Sequence, residues 1–273
     1  MGRQPARALE SGGHRLNALR NLRLLLEYDG AGFAGWQLQV GHRTVEGELR
    51  RAVREVTGET PKIYAAGRTD AGAHAEGQVV NFHYAGRLSV ARLQAAVNAH
   101  LPADVVVLDA GEAAPDFHAR YSARWRRYRY RFLDRAARPV LDRGRCWQVP
   151  GPLDVAAMAE AAAALTGVHD WTTFCAASEP AADRVRTMRE ARVGRNGHYV
   201  DVLLTGEGFL RGLVRGIAGG LAEVGRGRRP ASWFAEVLEA RDRRLAPKTA
   251  PAAGLTLVEV LYDGPPHNYS SAP

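Results

Sequence analysis

The hydrophobic pattern runs through one order of elements twice. The apolar run Leu22–Tyr28 predicts a strand. From Thr44 to Thr57 the apolar positions Val45, Leu49, Ala52, Val53 and Val56 fall on one helical face. Thr44 stands where an N-cap belongs, and Gly58 where a C-cap glycine belongs. Strands are predicted near Lys62–Ala66 and over Gln78–Tyr84. A helix capped by Ser89 should follow to about Ala99, with Val90, Leu93 and Val97 inward, and then a strand Asp104–Asp109.

The second pass opens with a strand Arg126–Leu133 and a helix Asp154–Leu165. Strands Arg184–Val193 and Tyr199–Thr205 come next, joined by a turn at Asn196-Gly197. A helix Phe209–Val224, an additional helix near Ala231–Arg241 and a strand Leu255–Leu261 complete it. Each pass reads β-α-β-β-α-β, the ferredoxin-like split unit. The expectation is an α+β fold: two tandem lobes, residues 21–112 and 113–263, sharing a mostly antiparallel sheet with helices on one side. Residues 1–20 and 264–273 lack periodicity and read as disordered tails.

Composition narrows the partner. The formal charge is +8, and all but Lys62 and Lys248 of the 37 basic residues are arginine. The planar guanidinium suits phosphates and base faces, which raises the odds of a nucleic-acid partner. The first twenty residues lack the apolar core of a signal peptide. The apolar stretch Val155–Leu165 is too short to span a bilayer and contains Glu160. A cytoplasmic protein is expected, with Cys146 and Cys175 as buried free thiols. The nine histidines and two cysteines show no metal-ligand spacing.

The stretch with most chemistry is Gly67-Arg68-Thr69-Asp70-Ala71-Gly72-Ala73-His74-Ala75, between the second and third strands. Glycines at both ends permit a tight bend that displays Arg68, Asp70 and His74. An isolated Thr-Asp-Ala-Gly would be a turn closed by its own aspartate. The longer string, from Ala66, resembles the active-site loop of the TruA family of tRNA pseudouridine synthases. Tyr28-Asp29-Gly30 and Phe33-Ala34-Gly35-Trp36-Gln37 resemble that family's opening strand and loop. Phe117–Ala123 and Arg126-Arg127-Tyr128-Arg129-Tyr130 resemble its second motif. Phe209–Arg215 resembles its third, with Leu213 where Met is frequent.

The resemblance implies a pseudouridine synthase fold with an active-site cleft between the lobes. It implies Asp70 as nucleophile, Tyr128 stacking on the target base and Arg215 pairing with Asp70. It implies further that Arg68 helps displace the target nucleotide, and that Arg211 contacts RNA. For His74, an RNA contact and a structural hydrogen bond both stand open. The implied substrate is tRNA, at uridines 38, 39 and 40, and the implied assembly a homodimer. No metal, organic or nucleotide cofactor and no membrane partner are implied.

The chemistry supports those residue types independently. Pseudouridine formation breaks the C1′–N1 bond and joins C1′ to C5. An ionised carboxylate can attack C1′ or help expel uracil and trap the sugar. A guanidinium beside a carboxylate favours its charged form. An aromatic ring can carry the detached base, with stacking worth roughly 1–3 kcal/mol. From Arg127 to Phe132 the sequence alternates Arg and aromatic, placing Tyr128, Tyr130 and Phe132 on one face and Arg127, Arg129 and Arg131 on the other. Phe132 and Tyr130 read as core, the arginines as a solvated face, and Tyr128 as lining the pocket.

Three other features weigh less. Gly30-Ala31-Gly32-Phe33-Ala34-Gly35 spells a dinucleotide fingerprint, but the next helix begins too late to receive a pyrophosphate, so it reads as a flexible loop. His169-Asp170 reads as a loop pair. Arg226, Arg228 and Arg229 either grip phosphate or are solvated. The rival to the enzyme is a non-catalytic RNA-binding module, although no RNA-recognition string is present.

Overall fold

The computed structural model describes residues 19–179 and 181–263. The expected tails therefore fall outside the described residues, except for Leu19 and Arg20, the latter already in the first strand. In chain order the elements are β1 (Arg20–Tyr28), α1 (Val45–Thr57), β2 (Tyr64–Ala65), β3 (His74–Tyr84), α2 (Val90–His100) and β4 (Val105–Ala113). They continue with β5 (Ala123–Leu133), β6 (Trp147–Gln148), α3 (Val155–Ala163), β7 (Gly167–Asp170), β8 (Val185–Asn196) and β9 (Tyr199–Gly206). Helices α4 (Leu213–Gly225) and α5 (Trp233–Ala240) and strand β10 (Leu255–Tyr262) close the chain.

The ten strands among the described residues form one sheet, whose central path runs β4-β1-β3-β10-β5-β9-β8-β7, with β2 beside β3 and β6 beside β5. The strands of the first pass take the order β4-β1-β3-β2, and those of the second β10-β5-β9-β8. Pairing is antiparallel except where β10 meets β3 and where β6 meets β5. The β10–β3 pairing is short, Thr256 with His74 and Leu257 with Ala75, and it welds the two passes together beside the 66–73 loop.

Local chemistry sets the helix ends. Thr44 Oγ1 accepts from the Gly47 amide, and Gly58 adopts the left-handed conformation at φ 72°. Ser89 caps α2 through the Arg92 amide, and Asp154 caps α3 through Ala157. The β8–β9 reversal uses Gly197-His198 as its two loop residues, one position later than the expected Asn196-Gly197, because Asn196 still pairs with Tyr199 and the positive φ, 58°, falls on Gly197.

Leu22, Leu24 and Leu26 of β1 enter the main core with Leu49 and Val53 of α1, Leu93 and Val97 of α2, Phe132 of β5 and Ile217 of α4. Alternate residues of β1 and β3 point the other way. There Leu25 and Val79 join Ala119, Phe117 and Tyr262 in a second, small cluster under the 114–122 loop.

Several expectations need correction. Residues 209–212 are not helical: α4 starts at Leu213, after Gly212 at φ 75°. His169 and Asp170 lie in β7 rather than a loop. Strand β3 begins at His74, ahead of the hydrophobic run Gln78–Tyr84, so His74 belongs to the sheet. The face carrying Arg127, Arg129 and Arg131 is not simply solvated, because these side chains pair with Glu259 of β10, Glu76 of β3 and Asp201 of β9.

Candidate active site

The 66–73 loop is clamped from both sides. Tyr28 shares a 2.8 Å hydrogen bond with Thr69 Oγ1, and Gln78 Nε2 donates to Gly67 O at 2.7 Å. The glycine segment after β1 supplies the rest: Trp36 N donates to Thr69 O, and Gly72 N donates to Phe33 O. Gly30 must be glycine, since a Cβ there would stand 1.9 Å from Ala73 O; Gly35, at φ 93°, would place one 2.8 Å from Thr69 O. The segment expected to be a flexible loop is therefore a buttress for Asp70.

Arg215 projects from the first turn of α4. Its Nη1 lies 2.8 Å from Asp70 Oδ2, and its Nε donates to Ala250 O at 2.7 Å. The Ala250 amide in turn donates to Arg215 O at 3.0 Å. This crossing requires Gly219, where a Cβ would meet Lys248 O at 1.9 Å. Two backbone contacts thus aim the guanidinium before it meets the carboxylate.

Tyr128 is 6% exposed and packs edge-on against Phe209, with ring centroids 4.8 Å apart. Its hydroxyl has no hydrogen-bond partner among the described residues, and a Cβ on Gly67 would sit 3.2 Å from it. Burial pushes the phenol up to about 12; Arg126 opposes that rise and the Asp70 charge adds to it. Tyr130 and Phe132, on the same face, are core residues as expected, and the Tyr130 hydroxyl donates to Pro251 O at 2.8 Å.

The remaining expected residues divide. Arg68 and Arg211 are exposed, and neither guanidinium has a partner among the described residues. Arg211 is held by its backbone, with its amide on Glu179 and its carbonyl on the Ala176 amide. His74 is buried: Nδ1 accepts from Gly30 N at 3.1 Å, which leaves Nε2–H to donate to Gly144 O at 2.8 Å. Of the two readings open for it, the geometry shows the structural hydrogen bond. Arg226 and Arg228 pair with Glu223, and Arg229 lies over Trp233. Both cysteines are buried free thiols. No described helix is long and apolar enough to cross a membrane.

One residue escaped notice in the sequence. Arg126, 7% exposed, has no carboxylate partner among the described residues and donates there only to backbone carbonyls: Ala66, Arg120, Ala123 and Glu207. It ties the start of the Asp70 loop, the 117–122 loop and the β9–α4 connection to one guanidinium. Two adjacent arginines at a strand end gave no hint which would be buried.

Comparison with known proteins identifies the family. A family model described as tRNA pseudouridine synthase matches residues 25–122 and 161–263. A tRNA pseudouridine synthase A of Geobacillus sp. (strain WCH70) is 42% identical over 245 residues, covering 89% of this chain and 99% of the relative. That of Moorella thermoacetica is 44% identical over 243 residues, covering 88% and 99%. That of Chloroflexus aurantiacus is 47% identical over 249 residues, covering 89% of each. With the family model matching residues 25–122 and 161–263, and two of these relatives covered to 99% of their length, the chain belongs to the tRNA pseudouridine synthase family of isomerases.

Proposed function

We propose that the chain isomerises uridine to pseudouridine in the anticodon stem-loop of tRNA, at positions 38, 39 and 40, with Asp70 as the nucleophile. The observation that carries this reading is the Arg215–Asp70 pair, a carboxylate held by a pre-aimed guanidinium on a clamped loop. The Asp70 carboxylate attacks C1′ or assists uracil departure and traps the sugar, so that C1′–N1 breaks. Uracil, stacked on Tyr128, turns and joins C1′ through C5. The phenol is protonated at neutral pH, so it takes part in losing the C5 proton only as a relay; the Asp70 carboxylate, once released from the sugar, is an acceptor for it, and N1, freed of its bond to C1′, takes up a proton in exchange, restoring the carboxylate. Arg68, exposed and without a partner among the described residues, stands two residues from Asp70, where it can help evert the target nucleotide at a cost of a few kcal/mol. Arg211 is a candidate phosphate contact.

The matching strand orders support two β-α-β-β-α-β lobes, with the reacting groups drawn from both: Asp70 from the first, Tyr128 and Arg215 from the second. A homodimer acting in the cytoplasm completes the proposal. The test is incubation with an unmodified tRNA transcript followed by carbodiimide mapping. Product in the anticodon arm, lost in Asp70→Asn while tRNA binding persists, is expected. Product confined to another arm would overturn the site assignment, and tRNA binding without any product would favour the non-catalytic RNA-binding module.

A further inference from the structure

A row of aromatic rings runs outward from β2. Lys62 Nζ lies 5.1 Å from the Tyr64 ring centre, Tyr64 lies 4.5 Å from His118, and His118 lies 4.4 Å from Tyr121. The Arg120 guanidinium sits 5.7 Å from the Tyr121 ring. Lys62 and Arg120 have no carboxylate partner among the described residues. At the outer end, Tyr121 is 78% exposed and borders a groove of about 1070 Å³ lined also by Phe117, Ser122 and the ion pairs Arg124–Asp263 and Arg186–Asp183, so the unpaired positive charge lies on the ring row rather than in the groove.

An exposed ring on a loose loop would mean little, but this loop is rigidly built. Asn21 and Asn81, only 3% and 1% exposed, lie in the sheet beneath it. Asn21 Nδ2 donates to Ala114 O and Phe117 O, and Asn81 Oδ1 accepts from the Ala119 amide. Tyr262 donates to Ala119 O at 2.7 Å. His118 Nδ1 accepts from the amides of Arg120 and Tyr121, and burial lowers the imidazole's affinity for a proton, so the row stays neutral between its two cations. Arg126 Nη2 holds Arg120 O and Ala66 O together, at 2.5 and 3.1 Å. The row is thereby fixed relative to the Asp70 loop.

We propose that Tyr121 is a base-stacking platform for the tRNA, receiving an unpaired or everted base near the target while Lys62 and Arg120 meet the flanking phosphates. The observations favour RNA over a protein partner. A row of rings with Lys62 at one end and Arg120 at the exposed end, neither with a carboxylate partner among the described residues, matches a base between phosphates, and a loop already held in place loses little entropy on binding. This inference rests on tRNA as the substrate and adds to it a binding residue outside the Asp70–Arg215–Tyr128 group.

The test measures binding of an unmodified tRNA transcript in the Asp70→Asn background, alongside turnover with Asp70 intact. Tyr121→Ala should weaken binding roughly tenfold, whereas Tyr121→Phe and Tyr121→Trp stay within about twofold of the parent. Lys62→Ala and Arg120→Ala should each reduce the salt dependence by about one ion. The melting temperature of each Tyr121 variant should match its parent. Unchanged binding in Tyr121→Ala, or a Phe variant as weak as Ala, overturns the platform. A wild-type chain that binds tRNA through Tyr121 but makes no pseudouridine would instead sink the proposed activity and leave the platform standing.

Discussion

Arg215 meets Asp70 at 2.8 Å across 145 positions of sequence, and it arrives already held by Ala250 O. A guanidinium donates along two directions at once, whereas an ammonium on a lysine stem is a single point charge. Arg215→Lys should therefore keep charge but lose aim. A fall in kcat of about a hundredfold is expected, with tRNA affinity little changed. Single-turnover rates beside binding isotherms check it; a weakened isotherm with normal turnover would show that Arg215 serves binding instead.

Asp70→Asn preserves shape and removes the nucleophile. Product formation should drop by roughly 10⁴-fold or more, while the melting temperature holds within a few degrees. The loop is held by Thr69, Gly67 and Gly72 rather than by the Asp70 side chain alone.

The loop's buttress yields a separate prediction. Gly30→Ala forces a methyl group onto Ala73 O, and the backbone must yield. Loss of about 2 kcal/mol or more of stability and a drop in turnover exceeding tenfold are expected, from denaturant melts and transcript assays. Titration with a nicotinamide dinucleotide, followed by tryptophan fluorescence, should show no saturable binding to the same glycines.

Alkaline stability depends on the tyrosines. Burial raises the phenols of Tyr28, Tyr128, Tyr130 and Tyr262 above their ordinary value of 10.0. The unfolded chain then releases these protons at lower pH than the native one. Their contribution is complete below pH 10 and is lost as pH rises; Tyr128 alone accounts for roughly 2 kcal/mol between pH 10 and 12. Denaturant midpoints should be insensitive to these groups up to about pH 9.5 and fall steeply above pH 10, with Tyr128→Phe reducing the slope.

How much of the fold and site was legible in the sequence depends on the range of the forces involved. Thr44, Ser89 and Gly58 act on backbone within a few residues, and all three ends stand where the pattern places them. The Asp70–Arg215–Tyr128 assignment came from family likeness, since no local rule brings residues 70 and 215 together. Strands β6 and β7 escape the pattern because each is defined by a partner strand, with little periodicity of its own. The 209–212 segment reads as helical because its apolar residues continue those of α4; Gly212 in the left-handed region ends that continuity. The glycine segment reads as a flexible loop because its partners, Thr69, Ala73 and Gly72, are about forty positions away.

A side chain held only by carbonyls, as Arg126 is, leaves its partners free to vary. Every residue type offers the same oxygen, so positions 66, 120, 123 and 207 can change identity without dissolving this knot, while position 126 has no substitute of equal reach. A saturation library should register that asymmetry as broad tolerance to this interaction at the four acceptors and near-intolerance at the donor. Drift in the surrounding loops could then retune which RNA shapes are accepted while the reacting groups keep their places.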